Sequence, residues 1–132
     1  EAKLTPELRN EALYFRAKAY LNQQADKKAM NDLQALAKDT RTLYGAEAKY
    51  LVALQLYKAH EYAAAEKEIL NFIEQSTPHA YWLARSFILL SDVYVAMDKK
   101  LDARQYLLSL QQNYHADDDI EQMINERLEK LK

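Results

Sequence analysis

The hydrophobic and polar positions of the chain repeat themselves. Segments beginning near Asn10, Ala46 and Ala84 align at spacings of roughly 36 and 38 residues, a length that holds two helices and a turn per unit. In each unit a small residue stands midway along the first helix (Ala17, Ala53, Ser91), and an alanine follows twelve residues later in the second (Ala29, Ala65, Ala103). Two helices approach closely only where neither carries a bulky side chain, so these pairs mark crossing points. Tyr20, Leu56 and Tyr94 follow the small residue by three positions, and Leu33, Ile69 and Leu107 follow the alanine by four, which keeps each on one helical face.

Turn and cap signals divide the pattern into elements. Thr5-Pro6 and Thr77-Pro78 each place a hydroxyl before a proline suited to the first helical position, where its missing N–H costs nothing. The expected helices run over about 6–24 and 26–38, 43–59 and 61–75, then 78–97 and 99–113. Asp118 and Glu121 read as a capping box ahead of Ile120, Met123, Ile124, Arg127, Leu128 and Leu131, an apolar stripe bordered by charge, so a seventh helix is expected. Its Glu121, Glu126, Glu129 and Lys130 would face outward and close the end of the stack. The units are thus about 10–43, 46–79 and 84–116, with a capping helix over 117–132, in a single domain over 1–132. No comparable cap precedes Pro6, and the expectation is that a parent protein continues upstream.

Composition narrows the fold to all-α. One Gly and two Pro among 132 residues starve tight β-turns, while the abundance of Ala, Leu, Lys, Glu and Gln favours uninterrupted helices. A formal net charge of −2 leaves no cationic surplus for a phosphate backbone, which argues against nucleic acid as a partner. No apolar run reaches the ~18–20 residues of a membrane span, so direct membrane insertion is not expected. The lack of Cys excludes disulfides and thiolate metal sites but fits any redox compartment.

Candidate chemistry is sparse. His60, His79 and His115 fall in separate turn regions without metal-ligand spacing, and they read as turn or surface histidines. Asp117-Asp118-Asp119 lacks the glycine and distal glutamate of a calcium loop and reads as a helix cap. No serine sits in a nucleophile-elbow context, and no glycine-rich phosphate loop exists. Carboxylate pairs such as Glu66 and Glu68 lie among Lys and Arg on solvated helix faces. The chain is expected to be no enzyme and to bind no cofactor or metal.

The small–large positions resemble the tetratricopeptide repeat family, whose signature continues here onto Leu36, Phe72 and Leu110. The early aromatic of that signature is replaced by Leu13 and Lys49 and is met only by Phe87, and the closing proline is missing after units one and three. The resemblance implies a right-handed α-solenoid of three hairpins plus a capping helix, with a concave groove lined by the first helices. Carried over by position, that groove comprises Glu11, Tyr14, Lys18 and Leu21, then Glu47, Tyr50, Leu54 and Tyr57, then Arg85, Ile88, Asp92 and Val95. Its phenols and aliphatic groups suit a protein or peptide partner. The carboxylate clamp of chaperone-binding members is absent, since its positions hold Tyr14, Lys18, Leu51, Arg85 and Leu89. The segments Gly45–Leu51 and Thr77–Arg85 resemble the C-terminal part of large tetratricopeptide proteins of Bacteroidetes-type bacteria. That implies a cell-envelope or periplasmic setting, with a cytoplasmic one open. The function expected is a non-catalytic scaffold that holds a polypeptide in the groove; the alternative is a spacer or self-association module that extends a longer solenoid.

Overall fold

A computed structural model describes residues 5–132, which form seven helices: α1 (Pro6–Asn22), α2 (Asp26–Leu36), α3 (Leu43–Lys58), α4 (Tyr62–Glu74), α5 (Ala80–Ala96), α6 (Lys100–Asn113) and α7 (Ile120–Lys130). No strand occurs among the described residues. Each helix packs on the next in sequence, and α1, α3, α5 and α7 also meet in succession. Among the described residues the even-numbered helices make no such contact with one another.

The crossing points fall where the small residues stand. Ala17, Ala29 and Ala65 are fully buried, as is Ala103, and Ala53 and Ser91 are 1% exposed. Around them Leu33, Ile69, Phe72 and Leu107 fill the space between helices. One core cluster runs through the first two pairs into α5 and α6, and a second joins α5, α6 and α7 through Ile88, Leu107, Ile120 and Ile124. Lys49, standing where an aromatic would be expected, is buried too. Its ammonium lies 2.5 Å from Glu68 and 2.7 Å from Asn71, so α4 supplies the charge and the acceptor that make this burial tolerable.

The repeat is written into the backbone as well. Gln24, His60 and Asp98 adopt left-handed φ angles of 59°, 62° and 60° at the ends of α1, α3 and α5. The following amides donate back to the carbonyls of Tyr20, Leu56 and Tyr94 at 2.8, 2.9 and 2.7 Å, so each first helix closes on the same turn. His60 is therefore a turn residue.

Two boundary expectations need correction. Thr5 caps α1 by accepting from the Leu8 amide at 3.2 Å, but Thr77-Pro78 does not start α5, which begins at Ala80. The Thr77 hydroxyl instead donates to the Thr40 carbonyl at 2.6 Å, tying the α4–α5 loop to the α2–α3 loop. Asp118 accepts from the Ile120 amide at 2.9 Å as an Asx-type turn. The capping residue of α7 is Asp119, whose side chain makes no cap bond, so the reciprocal capping box is not formed.

Candidate functional site

The side shared by α1, α3, α5 and α7 carries the residues expected to line a groove, and it divides into two parts. Along one part, from Tyr14 and Lys18 of α1 through Glu47 and Tyr50 of α3 to Arg85 and Asp92 of α5, polar side chains bridge from one helix to the next. The Tyr14 hydroxyl donates to both carboxylate oxygens of Glu47 at 3.0–3.1 Å, and the Lys18 ammonium reaches the same carboxylate at 3.1 Å. Tyr14 also stacks on Tyr44 with ring centroids 4.5 Å apart. Burial, reinforced by the Glu47 charge, pushes the Tyr14 phenol up to about 12.

The next bridge repeats the theme with the polarity reversed. Arg85 donates to the Tyr50 hydroxyl at 3.1 Å and to the Tyr81 hydroxyl at 2.9 Å, while its guanidinium lies 5.1 Å from the Tyr50 ring centroid. Trp82 packs against Tyr50 at 5.6 Å, and Asp119 stands 3.8 Å from the guanidinium. In the third bridge Arg127 of α7 grips Asp92 of α5 through two parallel bonds of 2.9 and 3.0 Å. That pairing makes α7 a working member of the series, placed on α5 and α6 as α5 is placed on α3 and α4.

These bridges change what the expected site can present. Glu47 is 8% exposed, Tyr50 6% and Ile88 1%, so the expectation that these three line an open groove is corrected. The neighbouring first helix covers Glu47 and Tyr50, and Ile88 turns into the core with Leu107 and Ile124. Glu11 is exposed on α1 and has no bridge among the described residues. Tyr81, Trp82, Asp119 and Arg127 complete the bridges but were not among the residues expected on this side. Arg127 carried a usable signal: it lies 35 residues after Asp92, the same separation as Tyr50 to Arg85.

Beside these bridges, the residues nearest the C-terminal ends of α1, α3 and α5 stay more open. Leu21, Leu54 and Tyr57 are half-buried, and Val95 is 40% exposed. A depression of about 540 Å³ lies beside them, lined by Tyr57, Ser91, Asp92, Val95, Arg127 and Leu131. Burial and the nearby Asp92 charge raise the Tyr57 phenol above its ordinary range, so it is a neutral hydrogen-bonding group at physiological pH. A second depression of about 570 Å³ is lined by Leu21, Leu54, Gln24 and Lys58 among others.

Among the described residues no group of three or more His, Asp or Glu could hold a metal ion. No helix among them is long and apolar enough to cross a membrane. The structure is all-helical. No protein-family model, curated protein or solved structure matches the chain.

Proposed function

We propose that the chain is a non-catalytic, tetratricopeptide-like helical scaffold that holds an extended polypeptide segment against the C-terminal halves of α1, α3 and α5. In this reading the odd-numbered helices form the inner side of a right-handed solenoid, because they meet in succession while the even-numbered helices stand apart. The observation that carries the proposal is the division of the inner side. Bridges tie up Tyr14, Glu47, Tyr50, Arg85 and Asp92, whereas Leu21, Leu54, Tyr57 and Val95 leave apolar and phenolic surface towards the C-terminal ends of α1, α3 and α5, beside two depressions, one of them walled by the Asp92–Arg127 pair. Half-exposed aliphatic and phenol groups on a prearranged frame bury area at little entropic cost, and a peptide backbone can pair with the phenol.

A peptide library displayed on phage, panned against the folded chain, tests this directly. Selected peptides should lose binding to Val95→Glu and Leu21→Glu variants that melt like the parent, and should keep it to Leu101→Glu, whose parent residue is 81% exposed on α6. Peptides that bind all of these variants equally would remove the groove from the proposal.

A second reading, a spacer whose pairs extend a longer stack or self-associate, draws on the bridges themselves. Buried groups such as Tyr50 and Glu47 are spent on holding adjacent helix pairs in register. On that reading Tyr50→Ala lowers the melting temperature and leaves selected peptides bound at equal folded concentration.

A further inference from the structure

The repeat places equivalent faces of α1, α3 and α5 side by side for comparison. Leu8, Ala12, Phe15 and Ala19 of α1 correspond to Tyr44, Ala48, Leu51 and Gln55 of α3, and to Trp82, Ser86, Leu89 and Val93 of α5. α3 packs on both helices of the pair before it and α5 does the same, with Tyr44 of this face against Tyr14 of α1 and Trp82 against Tyr50 of α3. Ala48 is fully buried there and Leu51 is 8% exposed; Ser86, Leu89 and Val93 are 1%, 3% and 0% exposed. On α1 the same positions are open: Leu8 is 50% exposed and Phe15 57%, and Ala12 and Ala19 are exposed as well. They fall at i, i+4, i+7 and i+11, a continuous apolar stripe on one side of a helix. A Phe and a Leu so aligned on a surface mark a face shaped for contact.

We propose that this face of α1 is a docking surface for the second helix of a further helix pair of the same pattern, joined ahead of α1 as α2 is joined ahead of α3. The occupant's chemistry follows from its two counterparts: an amphipathic helix with an alanine at the crossing and aliphatic or aromatic residues four and seven positions later, as in Ala29, Leu33 and Leu36 or Ala65, Ile69 and Phe72. A second copy of this chain is a poorer occupant. Its outermost helix, α7, offers exposed Glu121, Gln122, Asn125, Glu126 and Glu129, which would bury charge against Phe15. The proposal rests on the packing of the helix pairs and holds whether or not the inner side takes a peptide.

Two lengthened chains test it, one with residues 43–79 and one with residues 6–41 joined directly ahead of Pro6. These junctions keep the registers by which α4 leads into α5 and α2 into α3. Phe15→Glu is then made in the 132-residue chain and in both lengthened chains. In the 132-residue chain it should shift the melting temperature by no more than about 2 °C, as surface changes do. In at least one lengthened chain it should lower that temperature by on the order of 10 °C, the loss expected on unseating a buried aromatic. Equal shifts in all three, or failure of both lengthened chains to melt above the parent, would overturn the proposal. So would a 132-residue chain that sediments as a dimer and becomes monomeric on Phe15→Glu, because the face would then belong to a second copy.

Discussion

Gly45→Ala is a substitution on which helix propensity and local geometry disagree in sign. Gly45 is the only glycine of the chain and lies in the first turn of α3. Propensity alone predicts that alanine stabilises a helix by up to about 1 kcal/mol. Yet a Cβ at this position would stand 1.9 Å from the Asp39 carbonyl oxygen and 2.7 Å from Thr42 Oγ1. The first obstacle is backbone, held in place because the Asp39 carbonyl accepts from the Thr42 hydroxyl at 2.9 Å while Thr42 caps the Gly45 amide at 2.9 Å. Relief therefore requires moving the whole 39–42 turn, and with it Thr40, whose hydroxyl bonds Gln75 and whose carbonyl receives Thr77. Overpacking of this kind costs about 1–3 kcal/mol and outweighs the propensity gain. For a chain of this length, each kcal/mol moves the melting temperature by roughly 3–5 °C, so a fall of roughly 3–15 °C is expected. Thermal melts followed by far-UV circular dichroism would measure it, with urea midpoints as a second reading. A Gly45→Ala protein more stable than the parent would refute the reasoning and show that the turn yields freely.

Ala65→Leu should destabilise by about 1–3 kcal/mol, because it inserts volume at a fully buried crossing, while Ala64→Leu on the exposed side of α4 should change little; urea titration distinguishes them. Gln24→Gly should raise stability by about 0.5–1 kcal/mol by relieving a left-handed φ of 59°, and a calorimetric melting temperature no higher than the parent's would count against that turn geometry. The Tyr14 phenol, at about 12 when folded against an ordinary 10, contributes stability that is complete below pH 10 and lost as pH climbs towards 12. Tyr14→Phe should accordingly lose less stability than the parent over that interval, measured by urea midpoints at successive pH values. Removal of residues 117–132 should lower the melting temperature and promote concentration-dependent association in sedimentation, since Ile120 and Ile124 would no longer cover Leu107 and Leu110.

The sequence was most informative where geometry admits few residue types. A close helix crossing tolerates only Ala or Ser, so Ala17–Ala29, Ala53–Ala65 and Ser91–Ala103 announced the pairs by themselves, and all six are buried to within 1%. Boundaries were less legible because proline and acidic groups have more than one use. Thr77-Pro78 could open a helix, but the loop-to-loop bond to Thr40 recruits Thr77 first. The left-handed turns were invisible, since Gln24, His60 and Asp98 are not the glycine such turns favour.

The side shared by α1, α3, α5 and α7 was legible by position and illegible by state. Repeat phase could say that Glu47, Tyr50 and Arg85 point the same way, but whether they meet water or one another depends on how far successive first helices are apart. That distance is set by side chains outside the motif: Tyr44 stacked on Tyr14, and Trp82 laid against Tyr50. Tyr44 and Trp82, in the first turns of α3 and α5, fill the space beside Tyr14 and Tyr50, and Glu47 and Arg85 span what is left, whereas Leu21, Leu54 and Val95 lie towards the C-terminal ends. On the proposed reading, specificity and register need not compete for the same residues. The bridges fix how one helix pair sits on the next, and the half-exposed strip is free to vary in chemistry without loosening that arrangement, which is the property a holding surface on a repeated frame requires.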